Sequence, residues 1–329
     1  MAGRYYGHME DIQNTVTKFK EARKELAKAI IGQENVVSEV FMALLADGHI
    51  LLEGVPGLGK TLLVRSLAKV LQLDFHRVQF TPDLMPSDII GMEVLEEDRS
   101  TGKRFFQFNK GPIFTNILLA DEINRTPPKT QSALLEAMQE REVTYAGKTY
   151  ELPKPFFLLA TQNPLEQSGT YPLPEAQLDR FLFYTVVQYP AEQEEVDILE
   201  LTTGNQKNEL KPSLTAEEIL KARSWVRDIH IDKELLVKIS QLVRSTRPQN
   251  SENDLVKQYV DWGAGPRAGQ SIVLASKAHA FLAGRLSVIP EDIKAVSLAV
   301  LRHRVVLNFV AKTEKFTVED LIPELLKSL

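Results

Sequence analysis

The spacing of apolar residues divides the chain into a stretch where short strands alternate with helices and a stretch that reads as helices alone. Phe19, Ala22, Leu26 and Ile30 recur at helical spacing, as do Val36, Val37, Val40, Phe41 and Leu44. Residues 10–46 therefore predict two helices, broken at Ile31-Gly32-Gln33. The pattern then changes. His49–Glu53 is a short apolar run of strand length, a glycine loop follows, and Thr61–Leu71 returns to helical spacing. Further strand-like runs are Phe75–Phe80, Ile117–Asp121, Phe156–Gln162 and Phe181–Gln188, with a helix predicted over Lys129–Glu140. Five short runs rich in Ile, Leu and Phe, alternating with helices, predict an α/β fold with a largely parallel sheet covered on both faces.

Two stretches interrupt that alternation and read as hairpins. Met92–Leu95 and Arg104–Phe108 flank the polar turn Asp98–Gly102, and Glu142–Ala146 and Thr149–Leu152 flank Gly147-Lys148. After Pro190 the composition turns charged and polar, and the run Thr203–Asn208 predicts a boundary. From Ser213 onward only helices are expected. Ser213 is the predicted cap of the first, and Pro290-Glu291-Asp292 starts another with Ile293, Val296 and Val300 on one face. With 329 residues the chain fits two domains, an α/β core over 1–205 and a helical domain over 206–329.

Composition narrows the chemistry. Apolar residues at 43% and charged residues at 25% are ordinary for a globular protein. Cysteine is absent, which excludes disulfides, thiolate catalysis and cysteine-bound zinc or iron–sulfur centres. A net charge of -5 argues against broad nucleic-acid binding. No apolar run approaches the ~18 residues of a membrane span. The N-terminal stretch, with Glu10 and Asp11 and no apolar core, is unlike a signal peptide, so a soluble cytoplasmic protein is expected. The six histidines are scattered and neither H-E-x-x-H nor G-x-S-x-G occurs, leaving metallohydrolase and serine-hydrolase chemistry without support.

Gly54-Val55-Pro56-Gly57-Leu58-Gly59-Lys60-Thr61 matches G-x-x-x-x-G-K-[ST] between a predicted strand and a predicted helix that begins Thr61-Leu62. Glycines let successive backbone N–H groups face phosphate, and the helix N-terminus adds partial positive charge. Lys60 is expected to reach the β- and γ-phosphates and the Thr61 hydroxyl to ligate magnesium. A second acidic site closes the run Asn116–Glu122. Asp121 at the strand end is the expected magnesium partner, and Glu122 the base that activates water at the γ-phosphate. Having both carboxylates favours hydrolysis over phosphoryl transfer to a small molecule.

Taken together these segments resemble the AAA+ ATPases and, within them, the MoxR family. The resemblance is carried by the phosphate loop, Leu119–Arg125, Ala160–Pro164, Phe80–Asp88, Leu135–Arg141 and Pro174–Phe181, and it extends over nearly the whole chain. It implies a P-loop core with hairpin insertions and a helical lid, ATP and magnesium as ligands, and an oligomeric ring, most simply a hexamer. It implies that Asn163 positions the attacking water and that Arg180 reaches into a neighbouring subunit's site. Arg267, in Gly263–Ala268, is implied to contact nucleotide from the lid, within its own subunit or across the boundary; the family usually has Ser where Gly265 stands. Ile31, Gly32 and Gln33 would lie beside the adenine base. The hairpin aromatics Phe105, Phe106, Phe108, Tyr145 and Tyr150 are candidates to grip a substrate. Arg302-His303-Arg304 reads as a solvated basic cluster or a contact with a neighbouring subunit or acidic partner. The implied work is remodelling of a client protein or metal-cofactor insertion, beside partners with von Willebrand factor A domains. A nucleic-acid motor, a metal-chelatase subunit and a non-hydrolysing nucleotide-gated scaffold are the rival readings.

Overall fold

Helices α1 (Ala2–Ala27) and α2 (Glu34–Leu45) lead into strand β1 (Ile50–Glu53), the glycine loop and helix α3 (Lys60–Val70). Strand β2 (Phe75–Gln79) and helix α4 (Pro86–Ile90) precede the first hairpin, β3 (Gly91–Glu97) and β4 (Arg104–Lys110). Strand β5 (Ile117–Asp121), a 3-10 turn and α5 (Pro128–Glu140) reach the second hairpin, β6 (Glu142–Tyr145) and β7 (Lys148–Glu151). Strand β8 (Phe157–Gln162), helix α6 (Glu175–Leu178) and strand β9 (Phe183–Val186) finish the sheet, and α7 (Glu192–Thr203) leads away from it. The computed structural model describes residues 2–97, 102–165, 169–204, 209–327 and 329, with residues 2–9 as helix backbone alone.

The five sheet strands pair in parallel in the order β2-β5-β8-β1-β9. Successive side chains of a strand point to opposite faces, and two apolar layers follow. Ile50, Leu52, Leu119 and Leu159 face the layer shared with α1, α2 and α3. Leu51, Leu118, Leu158 and Ala160 face the other, closed by Leu134, Leu135 and Met138 of α5. Strand β5 is buried throughout, as a covered parallel strand must be, whereas edge strand β2 buries only Val78.

The C-terminal part comprises α8 (Ala216–Asp228), α9 (Lys233–Ser245), α10 (Asp254–Tyr259), α11 (Pro266–Leu282), α12 (Pro290–Leu301), α13 (Phe309–Glu314) and α14 (Val318–Leu326). Its apolar side continues the first layer: Phe281 meets Phe19 edge-on at 6.1 Å, and Ile219, Ile272 and Val296 belong to the same cluster as Phe41. A polar joint accompanies this contact. The Asp47 carboxylate accepts from Arg141 Nη1 at 2.7 Å and from Arg223 of α8, whose Nε also donates to the Leu44 carbonyl at 2.8 Å.

Several expectations need correction. The first helix starts at Ala2 rather than near residue 10. The C-terminal part is not helical alone, because Val260–Trp262 pairs antiparallel with Val306–Leu307. Ser213 does not cap α8; Thr215 does, accepting from the Glu218 N–H while Glu218 bonds back to the Thr215 N–H at 3.0 Å. The second hairpin turns on Ala146-Gly147, both with positive φ (48° and 77°), one residue earlier than expected. The charged stretch after Pro190 contains a full helix, α7. Of the expected turn Asp98–Gly102 only Gly102 lies within the described residues, and of the expected boundary Thr203–Asn208 only Thr203 and Gly204 do.

Candidate functional site

The phosphate loop springs from the C-terminal end of β1. It is fastened by the Gly54 N–H to the Gln162 carbonyl at 3.3 Å and by the Val187 N–H to the Glu53 carbonyl at 2.7 Å. Gly57 and Gly59 have φ of 88° and 71°, the left-handed region that costs other residues strain, and nothing stands within 4 Å of a Cβ built on either. The loop is thus an open cradle at the N-terminus of α3. Lys60 Nζ donates to the Gly54 carbonyl within the loop. Burial pulls its pKa below the ordinary lysine value, against the charges of Asp121, Glu122 and Glu53 that raise it. Leu62, on the first turn of α3, is exposed.

Strand β8 lies between β1 and β5, so Asn163 at its end stands between the phosphate loop and the acidic pair. Asn163 is buried, and its Oδ1 accepts from the Leu165 N–H at 3.1 Å. Asp121 Oδ1 accepts from the Thr161 hydroxyl at 2.6 Å, and Oδ2 accepts from Arg77 Nη2 at 2.6 Å and Nε at 3.0 Å. Glu122 is left-handed (φ 58°), which turns the chain sharply off the strand. Its N–H donates to Thr161 Oγ1 at 2.8 Å, and its Oε2 accepts from Gln79 Nε2 at 2.8 Å and Arg125 Nη1 at 3.0 Å.

Arg77, Gln79 and Thr161 are thus part of the site, though sequence reasoning did not select them. Arg77 and Gln79 lie two apart on one face of β2, so alternation within that strand was the signal that could have found them. Behind the loop, the Tyr184 hydroxyl donates to Glu53 and Gln162 Nε2 donates to Glu53 at 2.8 Å. Burial, followed by the Glu53 carboxylate, holds the Tyr184 hydroxyl well above its ordinary pKa.

Gln33 joins the α1–α2 break to the loop through Nε2, which donates to the Leu58 carbonyl at 2.6 Å, while its Oε1 is buried with no hydrogen-bond partner among the described residues. Ile31 is half-buried beside it. Gly32 and Gln33 open onto a crevice of about 690 Å³ between α2, β9 and α12, lined also by Glu39, Gln188 and Arg302. Burial raises the Glu39 carboxyl above the ordinary range, although the Thr185 hydroxyl donates to it and Arg302 is near.

Arg180 and Arg267 come together elsewhere. Arg180 precedes β9, and the parallel register Ile50 opposite Phe183 and Glu53 opposite Val186 puts it at the sheet's other edge from its own phosphate loop. The intervening strand alone spans ~10 Å at about 3.3 Å per residue. Arg267 Nη1 reaches Asp179, the residue next to Arg180, at 3.4 Å, and Arg304 Nε reaches the same carboxylate at 2.7 Å. Arg180 makes no ion pair with any described residue, Asp179 and Glu175 included. Arg302-His303-Arg304 is not a solvated face either. Arg304 is buried, donating also to the Phe181, Leu182 and Val300 carbonyls, and His303 is buried against the Phe181 carbonyl.

The hairpin aromatics divide. Phe108 stacks on Tyr150 at 4.4 Å and lies 5.1 Å from Tyr145, locking one hairpin to the other, so these three pack together. Phe105 and Phe106 remain exposed, Phe106 at 69%.

Thr61 and Asp121 are hard oxygen donors of the kind magnesium takes alongside substrate phosphates and water. Asp121 is buried at a strand end with both side-chain oxygens accepting hydrogen bonds, so the donor set fits the ion.

A backbone cradle after a parallel strand, an acidic pair two strands away and a C-terminal helical lid define a P-loop ATPase of the AAA+ class. Residues 49–183 match the family model for ATPases associated with various cellular activities (AAA), and residues 252–325 match the AAA lid domain. The chain is 41% identical over 324 residues to Chaperone MoxR1 of Mycobacterium tuberculosis, covering 98% of this chain and 85% of that protein. It is 42% identical over 323 residues to the uncharacterized protein YeaC of Bacillus subtilis, covering 98% and 96%. The crystal structure of a Cytophaga hutchinsonii protein assigned as an ATPase superposes with a TM-score of 0.91 at 40% identity, covering 99% of this chain and 98% of that one. The chain belongs to the MoxR family of AAA+ ATPases, and it is an ATP hydrolase.

Proposed function

We propose that this chain hydrolyses ATP, with magnesium, in a head-to-tail ring whose subunits complete one another's sites. The observation that carries this reading is the placement of Arg180 and Arg267 around Asp179, at the opposite sheet edge from their own phosphate loop. In that position both arginines serve a neighbour's γ-phosphate. Within one subunit, the loop N–H groups from Gly54 to Thr61 and the Lys60 ammonium bind the phosphates. Thr61 and Asp121 would hold magnesium, which would supply charge neutralisation to the bound phosphates. Glu122 takes the proton of the attacking water, oriented by Asn163, once its carboxylate is released from Gln79 and Arg125. Gln33, tied to the loop through the Leu58 carbonyl, borders the crevice where the adenine base would lie, and the match to the AAA family supports ATP as the nucleotide.

The ring size implied by the family is six. The work done is remodelling of a client protein, metal-cofactor insertion included, beside partners with von Willebrand factor A domains, in the cytoplasm where ATP is held. Exposed Phe105 and Phe106 are the client-facing groups. We divide the chain at 205/206 into core and lid. The reading is tested by measuring ATPase rate and mass by light scattering together across protein concentrations. Specific activity is expected to rise as the larger species forms; a full rate in a persistent monomer contradicts it.

A further inference from the structure

Helix α7 presents an apolar stripe to solvent. None of its residues is buried, and Val196 and Leu199, three apart and therefore on one face, are 43% and 57% exposed. Glu192, Glu195 and Glu200 are exposed along the same helix, which carries no basic residue. A complementary surface lies on the lid. Helices α9 and α11 part to leave an open groove of about 680 Å³, lined by Ile239, Val243 and Val273 and by two cations, Arg244 and Arg247, with no acidic residue. Gly269 lies on the groove floor, where a Cβ would stand in ordinary contact, 3.9 Å from both Ile239 and Val243, so a longer side chain there would extend into the groove.

We propose that α7 of one copy docks in the α9–α11 groove of a second copy as the repeating contact of the ring, its apolar stripe on the apolar lining and its glutamates against Arg244 and Arg247. The two surfaces differ, so the contact is heterologous, and each added copy offers a free helix and a free groove until the ring closes.

Where the surfaces sit strengthens the assignment. A Cβ on Gly32 would come within 2.5 Å of Glu194 Oε2, so α7 borders the nucleotide site through the segment that Gln33 ties to Leu58. The groove begins at Pro266, next to Arg267, and Arg267 is linked through Asp179 to Arg180. Seating α7 in a neighbour's groove brings that neighbour's two arginines toward the site that α7 borders. This rests on the ring reading above and supplies the surfaces that form it.

Sedimentation velocity with magnesium-ATP tests the contact. Leu199→Asp on the helix and Arg244→Glu in the groove, both at exposed positions, are expected to weaken assembly at least tenfold with an unchanged circular dichroism spectrum. Adding Glu195→Lys and Glu200→Lys to the Arg244→Glu chain is expected to restore it. Gly269→Met, which fills the groove while favouring the helix, is expected to block it. A mixture of Leu199→Asp and Gly269→Met chains has one intact helix and one intact groove, and is expected to stop at a dimer. Wild-type rings from both Leu199→Asp and Arg244→Glu chains overturn the docking and leave the ring ATPase standing. A wild-type chain that stays monomeric at full turnover overturns the ring itself.

Discussion

The two edges of the central sheet are built in opposite ways. At the C-terminal edge, eight consecutive residues from Gly54 to Thr61 make most of the phosphate cradle, and two more, Asp121 and Glu122, supply the acids. At the other edge, Asp179, Arg267 and Arg304 come from positions up to 125 residues apart, and none has a recognisable local motif around it except through the family resemblance. The first edge binds a ligand. The second gathers Asp179, Arg267 and Arg304 across the junction between the sheet and the C-terminal helices. In the ring proposed above, the binding half of the catalytic unit would be written locally and its completing half in tertiary structure.

Substitutions at the first edge are expected to have the largest effects. Lys60→Ala removes the charge facing the β- and γ-phosphates and is expected to abolish nucleotide binding, read by calorimetry; retained tight binding would contradict the role of the cradle. Glu122→Gln keeps the shape and loses the base. It is expected to bind ATP yet turn over at least ~100-fold more slowly.

At the second edge, Arg180→Ala is expected to leave ATP binding intact and lower turnover by about 1,000-fold, the low end for a lost arginine finger. Arg267→Ala is expected to act in the same direction. If either variant instead loses binding in a monomer, the arginine serves its own subunit and the contrast between the edges fails.

The smallest effect concerns the lid alone. Asp292 is buried; burial by itself would raise its pKa, but hydrogen bonds from Arg285, His279 and the Ile289 N–H outweigh that and bring it down to about 2. A carboxylate with a depressed folded pKa stabilises the fold above its unfolded value and loses that contribution as pH falls toward its folded one. The stability advantage of wild type over Asp292→Asn is therefore expected to be complete above pH ~4, at about 2 kcal/mol, and to shrink below it. A constant difference from pH 6 to pH 3 in urea denaturation would exclude this origin.

What was legible in the sequence follows the same division. The sheet, the glycine loop and the placing of Asp121 and Glu122 at a strand end were readable because strand runs and the phosphate motif are local patterns, whereas Asn163 was singled out only through the family resemblance. Arg77 and Gln79 were overlooked because β2 was read as a buried strand, whereas it is an edge whose polar face turns toward the acids. Arg302-His303-Arg304 looked like a solvated cluster because three adjacent cationic types normally are. Only the fold brings Asp179 and four backbone carbonyls to Arg304. Helix α7 was hidden by its acidity: without a buried face it has no core-facing period to detect.

The central claim is that one subunit's second edge completes another's first. Mixing Lys60→Ala chains with Arg180→Ala chains tests it directly. Each preparation alone is expected to be inactive, the first lacking a cradle and the second lacking the completing arginine. In the mixture, a Lys60→Ala subunit can lend Arg180 to an intact cradle next door, so ATPase activity is expected to reappear and to peak near equal proportions. A mixture that assembles yet stays as inactive as its components would contradict the account.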